Sequence, residues 1–303
     1  MQHAYSWKDT YDAAQRAPWR IEDVIGGERR LDFSRPFLPE SLARTGGLDF
    51  LSERERRTLN QIRGHAYLCI FGLVEEFILP FVLDHARPQL SGDDWRVRAL
   101  LQFAGEEAKH IHLFKRFRQA FEDGFGSHCE VIGPPEAVAA RVLGHSPLAV
   151  ALAILHIEWM TQRHYVESVH DDHALDPCFT SLLRHHWMEE AQHAKLDTLM
   201  VEAIADGCSP DAIDRAIDEY LQIGLFLDEG LKQQAELDRI SFETATGRTL
   251  SEAERRTFET VQQQANRWTY LGSGMTHPRF LATLAAIHPG AEQTLAAVAP
   301  AFC

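Results

Sequence analysis

Two short runs, Glu106-Glu107-Ala108-Lys109-His110 and Glu189-Glu190-Ala191-Gln192-His193, limit what this chain can fold into more than any other feature. In an α-helix, residues three apart lie on one face. Glu107 with His110, and Glu190 with His193, can therefore each grip one side of a metal centre. A single Glu-x-x-His on a helix is common and usually lies on a solvated face. Here each run follows an acidic residue in an apolar segment, at the same distance. Glu75 lies 32 residues before Glu107, and Glu158 lies 32 residues before Glu190. Residues 75–110 thus align without a gap on 158–193, as two helical hairpins related by a pseudo-twofold would. Two Glu-x-x-His helices, with one carboxylate from each of two others, form a di-metal pattern of four-helix bundles. Glu76 competes with Glu75 for its role, because helix geometry alone does not choose; the repeat spacing favours Glu75.

The halves differ at one informative place. His186 lies one turn before Glu190, whereas its counterpart before Glu107 is Phe103. His186, Glu190 and His193 fall at i, i+4 and i+7, within about 60° of arc on one face. The expected ligand set is Glu75 (or Glu76), Glu107, His110, Glu158, His186, Glu190 and His193. Carboxylate and imidazole without thiolate favour iron or manganese, with zinc still compatible. Two divalent cations balance four carboxylates, which makes their burial tolerable. Glu106 and Glu189 are placed to hold the ligand histidines from outside by hydrogen bonds.

Other residues receive plainer readings. His156, His164, His170 and His185 read as surface residues or as groups around the ligands. Phe71, Phe103, Phe114, Trp159 and Trp187 are candidates to line a substrate pocket, with core packing the plainer role for most. Tyr67 and Tyr165 read as structural rather than as a radical site.

The whole pattern is all-α. Ser52 and Glu55 form a capping box that opens a helix to about His85, with Gly64 and Pro80 as points where it can break or kink. A second helix is expected from Asp94 to Glu122, stopped at Gly124, and a short one follows Pro135. Ser146-Pro147, Asp176-Pro177 and Ser209-Pro210 each spell an N-cap followed by proline in the first turn. They open helices to about His170, Gly207 and Ile240. Ser251 and Glu254 form a second capping box for a helix to about Tyr270, and Pro278 to Ala297 adds one or two more. The likeness of LSERERRTL and LSEAERRTF reads as shared helix-start chemistry. The expected organisation is one domain, 1–303. It has an arm at 1–50, a di-metal core at 52–207 and accessory helices at 209–303.

The net charge, −14 from 30 basic and 44 acidic side chains, argues against nucleic acid or an anionic membrane as partner. The apolar stretch Ala66–Leu83 is long enough to resemble a membrane span. It contains Glu75 and Glu76, each costing about 2.5–3.5 kcal/mol at a membrane centre, and so reads as a buried core helix. The five scattered cysteines, without Cys-x-x-Cys, fit a reduced compartment. With no basic-then-apolar leader in the first twenty residues, the expected location is cytoplasmic.

At the ligand residues the chain resembles the ferritin-like di-iron carboxylate superfamily. The His186-x-x-x-Glu190-x-x-His193 run is similar to the p-aminobenzoate N-oxygenase family of di-iron arylamine oxygenases, over about residues 50–207. The resemblance implies a non-haem di-iron oxygenase with two irons, or manganese or mixed Fe/Mn, and O2 as co-substrate. In that family O2 binds between the metals as a peroxo species and oxidises a small aromatic amine. It also implies an external electron donor, since no flavin or nicotinamide fingerprint occurs. The alternatives are a ferritin-like iron-handling or peroxide-detoxifying protein and a di-metal C–H oxidase or desaturase. A bundle with a purely structural metal is a further one. All-α domains of this size often form homodimers.

Overall fold

The computed structural model describes residues 5–303. The first four residues of the expected arm, and of the stretch read for a leader, lie outside it. Among the described residues the regular elements are helical, with one isolated bridge between Gly26 and Arg29. The all-α expectation holds.

The N-terminal arm carries three short helices, α1 (Trp7–Ala14), α2 (Ile21–Val24) and α3 (Glu40–Ala43). Next comes α4 (Glu53–Ala86), opened by the expected capping box. Ser52 Oγ accepts from the Glu55 N–H, and Glu55 Oε2 accepts from the Ser52 N–H at 2.8 Å. The chain turns back into α5 (Asp94–Phe125), which packs along α4. After α6 (Pro135–Leu143), α7 (Pro147–His164) runs on through a π-helical turn at 165–169 and pairs with α8 (Pro177–Ala205). The two hairpins meet through α5 and α8. A long helix, α9 (Pro210–Thr246), lies over α4 and α7, and α10 (Glu252–Arg267) packs on α9. A second π-helical turn, 268–272, leads to α11 (Ser273–Met275), α12 (Pro278–Ile287) and α13 (Ala291–Val298).

The central helix α4 is apolar on nearly all sides, and a helix of that kind must be covered on all sides. By length and composition it could cross a membrane, but 78% of its most apolar window is buried inside the protein. One end is fixed by a buried charge. Arg63 approaches Asp238 of α9 at 3.4 Å and also donates to Asn266 of α10 and to the Leu42 carbonyl of the arm.

Two helix ends and one expected break depart from the sequence reading. α4 is not broken at Gly64 or Pro80; the Phe37 ring from the arm rests where a Gly64 side chain would stand. α5 passes Gly124, on which Phe33 leans, and stops at Gly126 in the left-handed conformation, φ +81°. α9 runs to Thr246, six residues beyond Ile240, because Gly247 supplies its left-handed cap.

His156 and His164 also depart from their reading: they are neither on the surface nor bonded to a ligand residue. Both are buried on α7, facing the C-terminal helices. His156 Nε2 donates to the Tyr270 carbonyl at 3.2 Å, so Nδ1 accepts from Tyr220 Oη at 2.7 Å. His164 lies between Tyr67 Oη (3.2 Å) and Ser273 Oγ (3.0 Å). The π-helical turn and α11 thus dock on α7 through two neutral imidazoles. His185 is half-buried against Trp19, and His170 is exposed.

Burial holds His156 at about 4 and His164 at about 3, below the ordinary 6.5. The unfolded chain therefore binds these protons first, so the stability is present above about pH 6.5 and is lost as pH falls toward the folded values. At about pH 5 the loss is about 2 kcal/mol for each residue. In urea unfolding, His156→Gln/His164→Gln should lose less stability between neutral pH and about pH 5 than the parent does. Parallel losses would contradict this account.

Candidate metal centre

Four helices bring the expected ligands to one buried place. α4 carries Glu75, α5 carries Glu107 and His110, α7 carries Glu158, and α8 carries His186, Glu190 and His193. None is more than 2% exposed. His186 Nε2 stands 3.2 Å from Glu75 Oε1 and 2.7 Å from Glu190 Oε1. His110 Nδ1 stands 3.1 Å from Glu190 Oε1. His193 Nδ1 stands 2.8 Å from Glu107 Oε1 and 3.3 Å from Glu190 Oε2.

Donor atoms of Glu75, His110, His186 and Glu190 lie within 4.8 Å of one another, as do those of Glu107, His110, Glu190 and His193. The clusters share His110 and Glu190. Glu158 is buried beside Glu190 but belongs to neither cluster. Glu76 lies outside both, half-buried, with Lys115 Nζ at 4.0 Å.

The outer nitrogens are held from the opposite hairpin. His110 Nε2 donates to Glu189 Oε2 at 2.8 Å, and His193 Nε2 donates to Glu106 Oε2 at 2.9 Å. An offset of 83 residues carries one of these bonds onto the other. Glu106 and Glu189 thus each bond the other motif's histidine. Donation from Nε2 leaves Nδ1 as a lone pair facing the carboxylates.

The donor set fits two metal ions. Buried Glu75 Oε2, both Glu107 oxygens, His110 Nδ1, Glu158 Oε2, Glu190 Oε1 and His193 Nδ1 have no hydrogen-bond partner. The short approaches among them therefore lack hydrogen-bond geometry, and acceptors face acceptors. Such groups need protons or cations between them. Burial opposes charge on Glu190, yet His186 and His193 hold it well below the usual carboxylate range. Burial and the Glu190 charge push Glu158 well above that range. Burial opposes protonation of His110 and His193 as well, and the surrounding glutamates still push both well above the ordinary value. Two divalent cations would supply this positive charge without protons.

An apolar cavity of about 60 Å³ adjoins this place, between α4, α7 and α9. Phe71, Val74, Ile157, Met160, Phe226 and Tyr270 help line it. Phe71 also packs edge-on against His186, ring centroids 5.6 Å apart. Of the aromatic residues considered for a pocket, Phe71 alone lines this cavity. Phe103 packs on His193 and Phe114 on His186. Trp159 stacks on His277 and Trp187 on Tyr165, so these two belong to other packing.

No family model matches the chain, and no curated protein matches it. Solved structures do. An R2-like ligand-binding oxidase variant with an aerobically reconstituted Fe/Fe cofactor aligns at 16% identity and TM-score 0.48, over 87% of this chain and 92% of the other. A variant of such an oxidase with an anaerobically reconstituted Mn/Fe cofactor aligns at 16% and 0.46, over 87% and 93%. A third, with its metal cofactor after photoconversion, aligns at 16% and 0.48, over 87% and 93%. Likenesses at that level assign neither family nor activity to this chain.

Three residues near the clusters escaped the sequence reading. Trp19 of the arm stacks on His110, ring centroids 6.2 Å apart and 10° from parallel. Lys109 sits over the Trp19 ring at 3.9 Å and pairs with Glu189. Trp19 lies some ninety residues upstream of the motif and carries no spacing signal. The third, Asp197, is buried one turn beyond His193 on α8. Extending the i, i+4, i+7 series to i+11 would have found it.

Replacing His186 or Glu190 by Ala should lower bound metal below two ions per chain, measured by elemental analysis, together with the metal-linked gain in Tm. At metal a hundredfold above Kd, that gain corresponds to about 2.7 kcal/mol per site. Either variant retaining both ions and the full gain would refute the ligand assignment.

The raised values of His110 and His193 also fix a pH trend. Their protonated forms stabilise the metal-free protein below about pH 6.5, and this is lost as pH rises through the folded values. Metal must displace those protons, so the Tm gap between loaded and metal-free protein should widen from about pH 6 to about pH 8. A constant or shrinking gap would contradict this.

Proposed function

We propose that this chain is an O2-activating di-metal oxidoreductase. Its metals would be two iron ions, or iron with manganese, held by Glu75, Glu107, His110, Glu158, His186, Glu190 and His193. One observation carries the reading: two buried Glu/His clusters share His110 and Glu190 and present lone pairs without hydrogen-bond partners. Bound iron or manganese supplies the redox electrons that carboxylates and imidazoles lack.

The chain's own residues bind, orient and seal. Glu190, common to both clusters, ties the two halves together. Glu106 and Glu189 fix the rings of His193 and His110, so their Nδ1 atoms stay aimed inward. Phe71, Phe103 and Phe114 pack on the imidazoles and exclude water from them. In the metal-free chain, burial beside Glu190 favours a proton on the Glu158 carboxyl, which a bound metal would displace.

The substrate we infer is a small, largely apolar aromatic amine. The apolar lining of the cavity behind Phe71, which at about 60 Å³ must widen to admit a ring, and the third histidine, His186, support that choice. Converting an amine to a hydroxylamine with O2 puts one oxygen atom on nitrogen. The other leaves as water, which consumes two electrons and two protons. An external electron donor is therefore part of the proposal, as is a cytoplasmic setting.

The test is single turnover of metal-loaded, chemically reduced protein with O2 and an aryl amine. Two irons, or one iron and one manganese, per chain and an oxygenated amine that carries label from 18O2 are expected. Zinc alone, fewer than two redox metal ions per chain, or O2 uptake with mineralisation of roughly hundreds of irons would sink the proposal.

A further inference from the structure

The pseudo-twofold leaves one side of the centre short of a donor. The 83-residue offset pairs Phe103 with His186 and Phe114 with Asp197. Ring contacts obey it: Phe103 lies 4.1 Å from His193, and its image pair, His186 and His110, lies 4.6 Å apart. The His110 side thus gains the His186 nitrogen, where the His193 side has an apolar ring. Phe114 packs on His186 at 5.1 Å. The same operation carries that contact onto Asp197 beside Phe103, on the side that lacks a second histidine.

Asp197 stands outside the two clusters, beside the second of them, and differs from a packing residue in three respects. It continues the ligand series of α8, and at 100° per residue it falls between Glu190 and His193 in azimuth. It stands about 6 Å beyond His193 along the helix axis. Its carboxyl is buried, 2% exposed, and Oδ2 has no hydrogen-bond partner. The charges that act on it are those of His193, Glu107 and Glu190, and it acts in turn on Glu158. A buried carboxyl oxygen without a partner costs stability wherever it serves packing alone.

We propose that Asp197 is a further oxygen donor of the centre, serving the His193-side metal, where Phe103 fills the place that His186 takes on the other side. The two metals then have unlike surroundings: two imidazoles on one, and one imidazole with an added carboxylate on the other. This rests on the two-metal reading above.

The test titrates metal-free full-length protein with Co(II), whose visible absorption reports its ligands. Asp197→Leu and Asp197→Asn are compared with the parent, and each metal-free variant is checked for helicity. The parent should bind two ions in two resolvable steps. In Asp197→Leu the weaker step should lose at least about tenfold in affinity with a changed Co(II) spectrum, while the tighter step stays unchanged. Asp197→Asn, which keeps one oxygen, should fall between, and it carries the test alone if the Leu variant fails to fold. Parental affinities and spectra in the folded variants would overturn the role of Asp197 while leaving the two-metal reading intact. A parent binding fewer than two ions would overturn both.

Discussion

Four glutamates, Glu75, Glu107, Glu158 and Glu190, and three imidazoles share one buried place in this protein, and their charges are tolerable there only with cations or protons among them. Much of the architecture follows from that constraint. The groups come from four helices, so no single helix bears the full repulsion. The two Glu-x-x-His helices lock each other by reciprocal bonds, His110 to Glu189 and His193 to Glu106. Each bond spans the hairpins, so ligand orientation and hairpin docking are one interaction. Loosening either hairpin would turn both Nδ1 atoms away from the centre.

The remaining segments shield this place. The arm lays Trp19 on His110, with Lys109 and Glu189 completing the contact. α9 covers α4 and α7 and closes one wall of the apolar cavity. The C-terminal π-helical turn and α11 dock on α7 through His156 and His164, kept neutral by burial. Arg63, buried with Asp238, ties α4 to α9, α10 and the arm. Polar groups thus specify the docking at the edges of an otherwise apolar core. Those edge bonds are neutral or self-paired, whereas the centre leaves its donor atoms facing one another.

Much of this was legible in the sequence because it is local or periodic. Capping boxes and Ser-Pro or Asp-Pro starts are local, and they mark helix starts to within a residue. The Glu-x-x-His motifs at equal offsets are periodic, and they name residues that the fold brings together. Boundaries set by tertiary contact were not legible. Gly124 reads as a stop, yet Phe33 from the arm rests on it and the helix continues to Gly126. His156 and His164 look like stray histidines, because their partners lie more than sixty residues away. Helix geometry left Glu75 and Glu76 open and the repeat spacing favoured Glu75; the folded chain buries the first and leaves the second near Lys115.

The two-metal centre is tested most directly by anomalous diffraction from crystals of protein grown with iron and manganese, at both absorption edges. Two peaks about 3.5–4 Å apart are expected. One should lie against Glu75, His110 and His186, the other against Glu107 and His193, with Glu190 reaching both. A single peak, or peaks away from these residues, would contradict the assignment.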